Sequence, residues 1–225
     1  MSTPLTDIGK PAVSSYQKGR KLYLVPFYAG PKREEMTVAD EGSEEAAETL
    51  RTLDEFENLL ARYWVGADQH ITRLEESLGK AQRLYHEHLD AAGEEGAQLL
   101  EKFNPLGAKL LNRRVNAGAS LEATEDRETL TEIGDWLACA TAGLRSEKAT
   151  AMVYQAYAEA NAKRYEYIAA RIDQTLQEDE TGILVIRDDH RVQFPSDLQV
   201  FYVAPPALNE LRKWIEALSG RTSAP

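Results

Sequence analysis

The hydrophobic pattern of the chain alternates between short apolar runs and longer amphipathic stretches. Four consecutive branched apolar residues, Ile183 to Ile186, follow a glycine and precede a cluster of charged residues. An uninterrupted run of this kind predicts a strand that is buried on both faces and ends at a polar rim. Apolar runs at 21–28 and 198–203 predict two further strands. Since α/β sheets bind ligands at the carboxyl ends of their strands, the residues that follow Ile186 are the first place to look for a site.

Apolar positions spaced by three and four residues predict several helices. The clearest helix runs from Leu53 to Leu78, with N-terminal capping groups from Thr52 and Glu55. Further helices are predicted over 94–115 with an interruption at 104–107, over 126–142, over 146–176 and over 206–218.

Two segments are less regular. Residues 31–48 are acidic and nearly free of large apolar side chains, which predicts an exposed loop or lid that ends in the first turn of a helix. Residues 80–89 fit either a short strand or a helix, and we favour the strand because the preceding Gly79 resets the chain.

The order of these elements predicts an α/β fold. Strands and helices alternate at both ends of the chain, which favours a small, mainly parallel sheet with an extensive helical layer or insertion at about 94–176. The alternative is a mainly α-helical protein with a C-terminal β-hairpin. The length of 225 residues fits one domain, which we place at 21–218. A flexible arm, 1–20, precedes it, and a tail, 219–225, follows it.

Composition and charge narrow the classes of function. The net charge of −11 argues against a nucleic-acid partner, and no apolar run is long enough to cross a membrane. The single cysteine, Cys139, cannot form an intrachain disulfide, and we expect its thiol to pack on a buried helix face. These features predict a soluble, cytoplasmic protein. They leave a small molecule or a protein as the partner, and they are compatible with a homo-oligomer.

The first motif with metal-binding chemistry is His86-Glu87-His88. Residues two apart in a strand point to the same side, so His86 and His88 could present two imidazoles to one divalent metal ion. A third ligand would come from Asp188, Asp189 or His190. The alternative is a polar strand end without a metal.

The second motif is Asp188-Asp189-His190, which follows the predicted buried strand. Two carboxylates beside an imidazole can bind a cation, or can hold a water molecule while His190 transfers protons. The alternative is a hairpin turn in which Asp188 and Asp189 accept hydrogen bonds from backbone amides.

Arginines are the candidates for substrate binding. Arg187 and Arg191 flank the acidic motif, and Arg164 lies on the long predicted helix. A guanidinium group beside a strand end can hold a carboxylate or phosphate through two hydrogen bonds. For Arg164 the alternative is an ion pair within the protein. Motifs for nucleophilic serine hydrolases, phosphate loops and dinucleotide sites are absent from the sequence.

The order of elements resembles the TraB/ChaN-like and erythromycin-esterase-like superfamily over about half of the chain. The residues that carry the resemblance are a first strand at 22–28, a strand with a terminal acid at 84–87, and Arg164 on a helix that leads to the strand 182–186 and His190. The first strand departs from the family pattern, because Val-Pro-Phe-Tyr stands where the family has a glycine and a histidine. The resemblance implies a metal-dependent or acid/base hydrolase framework, with Glu87 and His190 as its acid and histidine.

Two functions follow from these features. The first is a hydrolase-like protein that acts on a small molecule or peptide at the strand ends, with Glu87 and His190 as catalytic residues. The second is a non-catalytic binding or assembly protein that uses its acidic surface and long helix to engage a protein partner. A contact between Glu87 and His190, or a ligand shared by them, distinguishes the first from the second.

Overall fold

The computed structural model describes residues 18–29 and 43–222, apart from the side chains of residues 45 and 219–222. Its strands are β1 (Lys21–Phe27), β2 (Arg83–His86), β3 (Ser120–Leu121), β4 (Thr181–Arg187) and β5 (Gln199–Tyr202). They form one parallel sheet in the order β3-β2-β4-β1-β5. The predicted α/β fold with a parallel sheet is therefore confirmed. The hairpin alternative is wrong, because β4 and β5 lie on opposite sides of β1 and both run parallel to it.

The helices of the described residues surround this sheet. They are α1 (Glu44–Leu78), α2 (Gly93–Phe103), α3 (Pro105–Val115), α4 (Arg127–Thr141), α5 (Glu147–Thr175) and α6 (Pro206–Thr222). None of the helices in this part of the chain combines the length and the hydropathy needed to cross a membrane.

The two central strands are buried on both faces, as the uninterrupted apolar run predicted. β1 and β4 pair along their whole length, from Lys21 opposite Thr181 to Phe27 opposite Arg187. Their side chains alternate between two hydrophobic clusters, because successive residues of a strand point to opposite faces. The clusters fix the register of the strands, since a shift by one residue would exchange the two faces.

Helices cover both faces and make a three-layer structure. The first cluster packs against α1, α2, α3 and α6, through residues such as Ile71, Leu111 and Leu211. The second cluster packs against α5 through Ile168 and Ile172. Because the strands all run parallel, their carboxyl ends lie at one rim of the sheet.

Helix α1 begins earlier than its apolar pattern predicted. Its N-cap is Ser43, whose Oγ accepts a hydrogen bond of 3.1 Å from the amide of Ala46, so Thr52 and Glu55 lie inside the helix. The predicted end at Gly79 is confirmed. The loop or lid predicted for residues up to 42 lies outside the described residues, as do residues 1–17 of the predicted arm. The predicted tail, 219–225, begins too early, because α6 continues to Thr222.

Other boundaries follow the sequence more closely. The favoured strand at 80–89 is confirmed as β2, and the predicted interruption of the helix at 104–107 separates α2 from α3. Asn104 forms this break, because its Oδ1 caps α3 by accepting from the amide of Gly107 at 2.9 Å. The strand β3 was missed, since no strand was predicted between the helices at 94–115 and 126–142.

Helix α4 lies outside the core. None of its residues is buried, and it packs against α5. Cys139 is consequently exposed, so the predicted packing role of its thiol is wrong. The amphipathic pattern of α4 was read correctly as a helix, but its apolar side faces a neighbouring helix and solvent.

Candidate functional site

The connections that leave the two central strands, β1 and β4, cross the sheet in opposite directions. Helix α1 carries the chain from β1 past β4 to β2, whereas residues 188–198 carry it from β4 past β1 to β5. These connections cover opposite faces, because α1 packs in the first cluster and Val192 and Leu198 pack in the second. A reversal of this kind leaves a crevice at the carboxyl ends of the two strands, where open α/β sheets bind ligands.

A buried carboxylate, Glu87, stands next to this crevice. It follows β2, and its side chain is 1% exposed. Its Oε2 accepts a hydrogen bond of 3.2 Å from Nη2 of Arg164, and its Oε1 accepts one of 3.1 Å from the backbone amide of Arg187. The Nε of Arg187 lies 3.4 Å from the same Oε2. Glu87 therefore holds both the backbone and the side chain of Arg187.

A second buried acid, Glu125, completes the environment of Arg164. The Nε of Arg164 donates to both carboxylate oxygens of Glu125, at 2.9 and 3.0 Å, and Nη2 also contacts Oε1. The Oε1 of Glu125 further accepts from the amide of His88 at 3.0 Å. We call Glu125, Arg164 and Glu87 the buried charge cluster. Arg187 pairs with Glu87 at the end of this cluster and lies at the crevice.

Arg164 is therefore a structural cation. Its side chain is 2% exposed, and its guanidinium is occupied by two carboxylates. The prediction that Arg164 binds substrate is wrong, and its alternative, an ion pair within the protein, is confirmed. The reason is burial, which leaves no solvent-facing nitrogen for a ligand.

Burial shifts the protonation of this region. It raises the pKa of Glu87 to about 7, although Arg164 and Arg187 both act to lower it. Burial also lowers the pKa of His86 and of His88 to about 4, so both imidazoles are neutral at physiological pH. A carboxyl group that titrates near neutrality beside a crevice is a recognised mark of functional sites.

The two histidines are not arranged as metal ligands. Strand β2 ends at His86, and His88 adopts a left-handed conformation with φ of 68°, so the two do not share a strand face. The Nε2 of His86 accepts from Asn104 Nδ2 at 3.1 Å, and its Nδ1 donates to the carbonyl oxygen of Glu87. Both ring nitrogens of His86 are thereby occupied. The His86–His88 metal pair predicted from the sequence is wrong.

Asp188 is likewise occupied, at the solvent-facing side of the crevice. Tyr28 and Tyr202 donate hydroxyl hydrogen bonds of 2.9 and 2.5 Å to its two oxygens, and Arg212 forms an ion pair with it. Burial opposes ionisation, but these three donors outweigh it and hold the pKa of Asp188 below its ordinary value. We call these four residues the surface acid network. It joins the ends of β1, β4 and β5 to α6, and it leaves Asp188 unsuited to be a metal ligand.

Asp189 and His190 form the turn after β4. The amide of His190 donates to the carbonyl of Arg187 at 3.2 Å, and His190 Nδ1 accepts from the amide of Val192 at 3.3 Å. The ring of His190 packs against Phe194. Among the described residues, none of these contacts involves Glu87, so the predicted catalytic pair of Glu87 and His190 is not formed.

No metal centre is formed by the described residues. No group of three or more His, Cys, Asp or Glu side chains in 18–29 and 43–222 is placed to hold a metal ion. The combination of His86 and His88 with Asp188, Asp189 or His190 is not formed. His86, Asp188 and His190 make local hydrogen bonds, the His88 ring lies beside Phe103, and Asp189 is exposed. The donor set does not fit the divalent cation that the sequence suggested.

Two clefts meet at Arg187. The first, of about 710 Å³, lies between α5 and the turn after β4, and we call it the tyrosine cleft. Its lining includes Tyr157, Asn161, Tyr165, Arg187 and Arg191. The second, the large cleft, has a volume of about 1370 Å³ and lies between the end of β1, the start of α1 and α6. Arg187 and Asp189 line both clefts.

Arg187 has hydrogen-bonding capacity that the described residues do not use. Its side chain is 38% exposed, and its Nε is buried without a hydrogen-bond partner, although it lies 3.4 Å from Oε2 of Glu87. Within the described part of the chain, its terminal nitrogens have no partner, and Arg191 forms no ion pair. Two arginines predicted to bind substrate thus face the same cleft with donors to spare.

Several residues of the site were not found from the sequence. Glu125 follows β3, whose two residues are too few to show a strand period. Tyr28, Tyr202 and Arg212 are separated by long stretches of chain, and the position of both tyrosines just after or at a strand end is the signal that could have indicated them.

Comparison with known proteins adds no relative. No family model matches the chain, and neither a curated protein nor a solved structure matches it.

Proposed function

We propose that this protein binds a small organic anion at the carboxyl ends of β1 and β4, where Arg187 and Arg191 hold its carboxylate or phosphate group. The observation that carries the proposal is the fixed position of Arg187. Glu87 contacts both its backbone amide and its side chain, and Arg187 lines both clefts with terminal guanidinium nitrogens that have no partner in the described residues.

The arrangement favours anion binding for a physical reason. A guanidinium presents its donors as a rigid planar fork that matches a carboxylate or phosphate. When the protein already holds the side chain, less conformational entropy is lost on binding. The buried charge cluster supports the position of Arg187, because Glu87 contacts its backbone amide and its Nε. The two terminal nitrogens of the guanidinium are left for a ligand.

The tyrosine cleft has the size and lining of a small-molecule site. Its volume of about 710 Å³ falls in the range of known ligand pockets. Tyr157 and Tyr165 supply aromatic surface, and Asn161 supplies an amide. Glu166 and Asp189 also line the cleft, but neither forms an ion pair with Arg187 or Arg191 in the described structure.

Calorimetric titration with inorganic phosphate and with butanoate tests this proposal. We expect both anions to bind, and we expect R187Q to weaken binding at least about tenfold, the usual worth of a hydrogen bond to a charged group. R145Q is the matched control, because Arg145 is an exposed arginine that precedes α5. Equal affinities in wild type, R187Q and R145Q would contradict the proposal.

A second candidate is a hydrolase-like reaction at the same crevice, favoured by the pKa of Glu87 near 7. In this reaction Glu87 takes a proton from water as the water attacks an ester, and then returns the proton to the leaving alcohol. The resemblance to the TraB/ChaN-like superfamily agrees with it. Glu87 is fully buried, however, so the Arg187 side chain must move aside before Glu87 meets a substrate.

The pH profile of p-nitrophenyl butanoate hydrolysis separates the two candidates. Catalysis by Glu87 predicts a rate that rises with pH through about 7 and loses this step in E87Q. R145Q serves again as the control. A background rate with the same profile in wild type and E87Q leaves anion binding as the function.

A further inference from the structure

The large cleft differs from the tyrosine cleft in its chemistry. Large apolar side chains from three elements line most of its wall: Phe27, Leu53, Phe56, Trp214, Ile215 and Leu218. Phe56 and Trp214 stack with their ring centroids 5.4 Å apart, so α1 and α6 contribute to one continuous apolar surface. A surface of this kind on a small protein indicates a partner that is itself apolar.

Arg187 stands at the polar end of this cleft. The acids on its rim are largely compensated, because Glu48 pairs with Arg51 at 3.8 Å and Asp188 belongs to the surface acid network. Asp189 and Glu44 are exposed, where water and salt screen their charges. The guanidinium of Arg187 is therefore a cation of this cleft that keeps unused donors among the described residues, and Arg51 is the second arginine of the lining.

We infer that the anion held by Arg187 is an alkyl carboxylate, with its hydrocarbon chain in the large cleft and its acid group at Arg187. The inference rests on the proposed anion binding, and it adds the chemical class of the ligand. The apolar wall fixes the orientation, since a carboxylate placed against Phe27, Leu53 and Phe56 would lose its hydration beside carbon atoms, whereas Arg187 offers it unused donors.

The inference predicts a dependence of affinity on chain length. Each methylene group that leaves water for an apolar wall contributes about 0.8 kcal/mol, which corresponds to an increase of about fourfold in affinity. A ligand held by its acid group alone shows no such increase. Affinities for butanoate, octanoate and dodecanoate, measured by calorimetry below the micelle-forming concentration, therefore report where the chain lies.

The matched variants are W214Q and W136Q. Trp214 lies in the wall of the large cleft, whereas Trp136 is a half-buried tryptophan on α4. We expect affinity to rise with chain length in wild type and in W136Q, and to rise less steeply in W214Q, because one large apolar side chain of the wall is lost. Binding of phosphate by W214Q confirms that the variant retains the fold and the anion site.

The other outcomes overturn the inference in distinguishable ways. If phosphate and butanoate bind but longer carboxylates bind no better, the alkyl ligand is wrong and anion binding stands. A rise with chain length that is as steep in W214Q as in wild type places the hydrocarbon elsewhere and also overturns the inference. If none of these anions binds to the wild type, the proposed function fails together with it.

Discussion

Two acid–arginine pairs stand at the same rim of the sheet and behave in opposite ways. Glu87 and Arg164 belong to the buried charge cluster, with side chains 1% and 2% exposed. Asp188 and Arg212 belong to the surface acid network, with side chains 31% and 34% exposed. Burial raises the pKa of Glu87 to about 7, whereas the donors around Asp188 hold its pKa below the ordinary value.

The difference shows that burial, more than the arginine partner, decides whether the pKa of the carboxyl group in an ion pair is raised or lowered. Removing water from Glu87 costs more than two arginines restore, so this carboxyl group is poised to change charge near neutral pH. Asp188 keeps part of its hydration and gains three donors, so it stays ionised and ties strands to α6. The first arrangement suits a group that supports ligand chemistry, and the second suits a structural clamp.

Removal of the arginine from each pair should give the largest contrast. R164M leaves Glu87 and Glu125 buried without their shared cation, and we expect a loss of about 3–5 kcal/mol in the free energy of unfolding. R212M removes a half-exposed partner and should cost about 1 kcal/mol or less. Urea unfolding at pH 8 measures both. Similar losses in the two variants would mean that burial does not distinguish the pairs.

Conversion of each carboxylate to an amide should reveal a different dependence of stability on pH in the two pairs. The folded pKa of Glu87, about 7, lies above its ordinary value of 4.5, so its stabilising contribution is complete below pH 4.5 and is lost as pH rises through 7. Relative to wild type, E87Q should therefore gain about 3 kcal/mol between pH 4 and pH 8.

The matched variant D188N should behave differently over this range. The pKa of Asp188 is lowered, so its contribution is present above the ordinary value of 3.8 and is lost only as pH falls through the lower folded pKa. The difference between D188N and wild type should therefore stay constant between pH 5 and pH 8. Unfolding free energies of both variants at intervals of pH test the pair, and parallel curves for E87Q and D188N would contradict it.

His86 allows a test of the buried region at acid pH, through the dependence of stability on pH. Its pKa of about 4 lies below the ordinary value of 6.5, so its stabilising contribution is present above pH 6.5 and is lost as pH falls toward 4. The loss amounts to about 3 kcal/mol, and H86Q should remove it from the pH profile of unfolding. Ring resonances followed by nuclear magnetic resonance give an independent measurement. A His86 ring that titrates near 6.5 would show that it is not sealed from water.

The sequence predicted the fold better than the site. Strands and helices depend on residues that are neighbours in the chain, whereas the site depends on pairs of residues that are far apart in it. The strand β4 was visible in four adjacent residues, Ile183 to Ile186, and β2 followed from the reset at Gly79. By contrast, β3 consists of two residues, and the first turns of α1 have few large apolar side chains, so neither shows a period.

For the site, residue type was informative and pairing was not. Glu87, Arg187 and Arg191 were chosen as candidate site residues because they stand at or just after strand ends, where parallel strands bring side chains to one rim. The partner of Arg164 is 39 residues away, at Glu125, and no local pattern connects them. His190 was wrong as the partner of Glu87 because the turn after β4 directs its ring to Phe194.

The smallest effect is expected from a single hydroxyl of the surface acid network. Y202F removes one of the three donors to Asp188, and the two remaining donors should limit the loss to about 0.5 kcal/mol. The pKa of Asp188 should rise toward its ordinary value, because one hydrogen bond to the ionised form is lost. Urea unfolding and carboxyl titration measure the two effects, with Y154F on α5 as the exposed control. A loss as large as that of R164M would show that the surface network is as sensitive as the buried cluster, and that exposure does not buffer it.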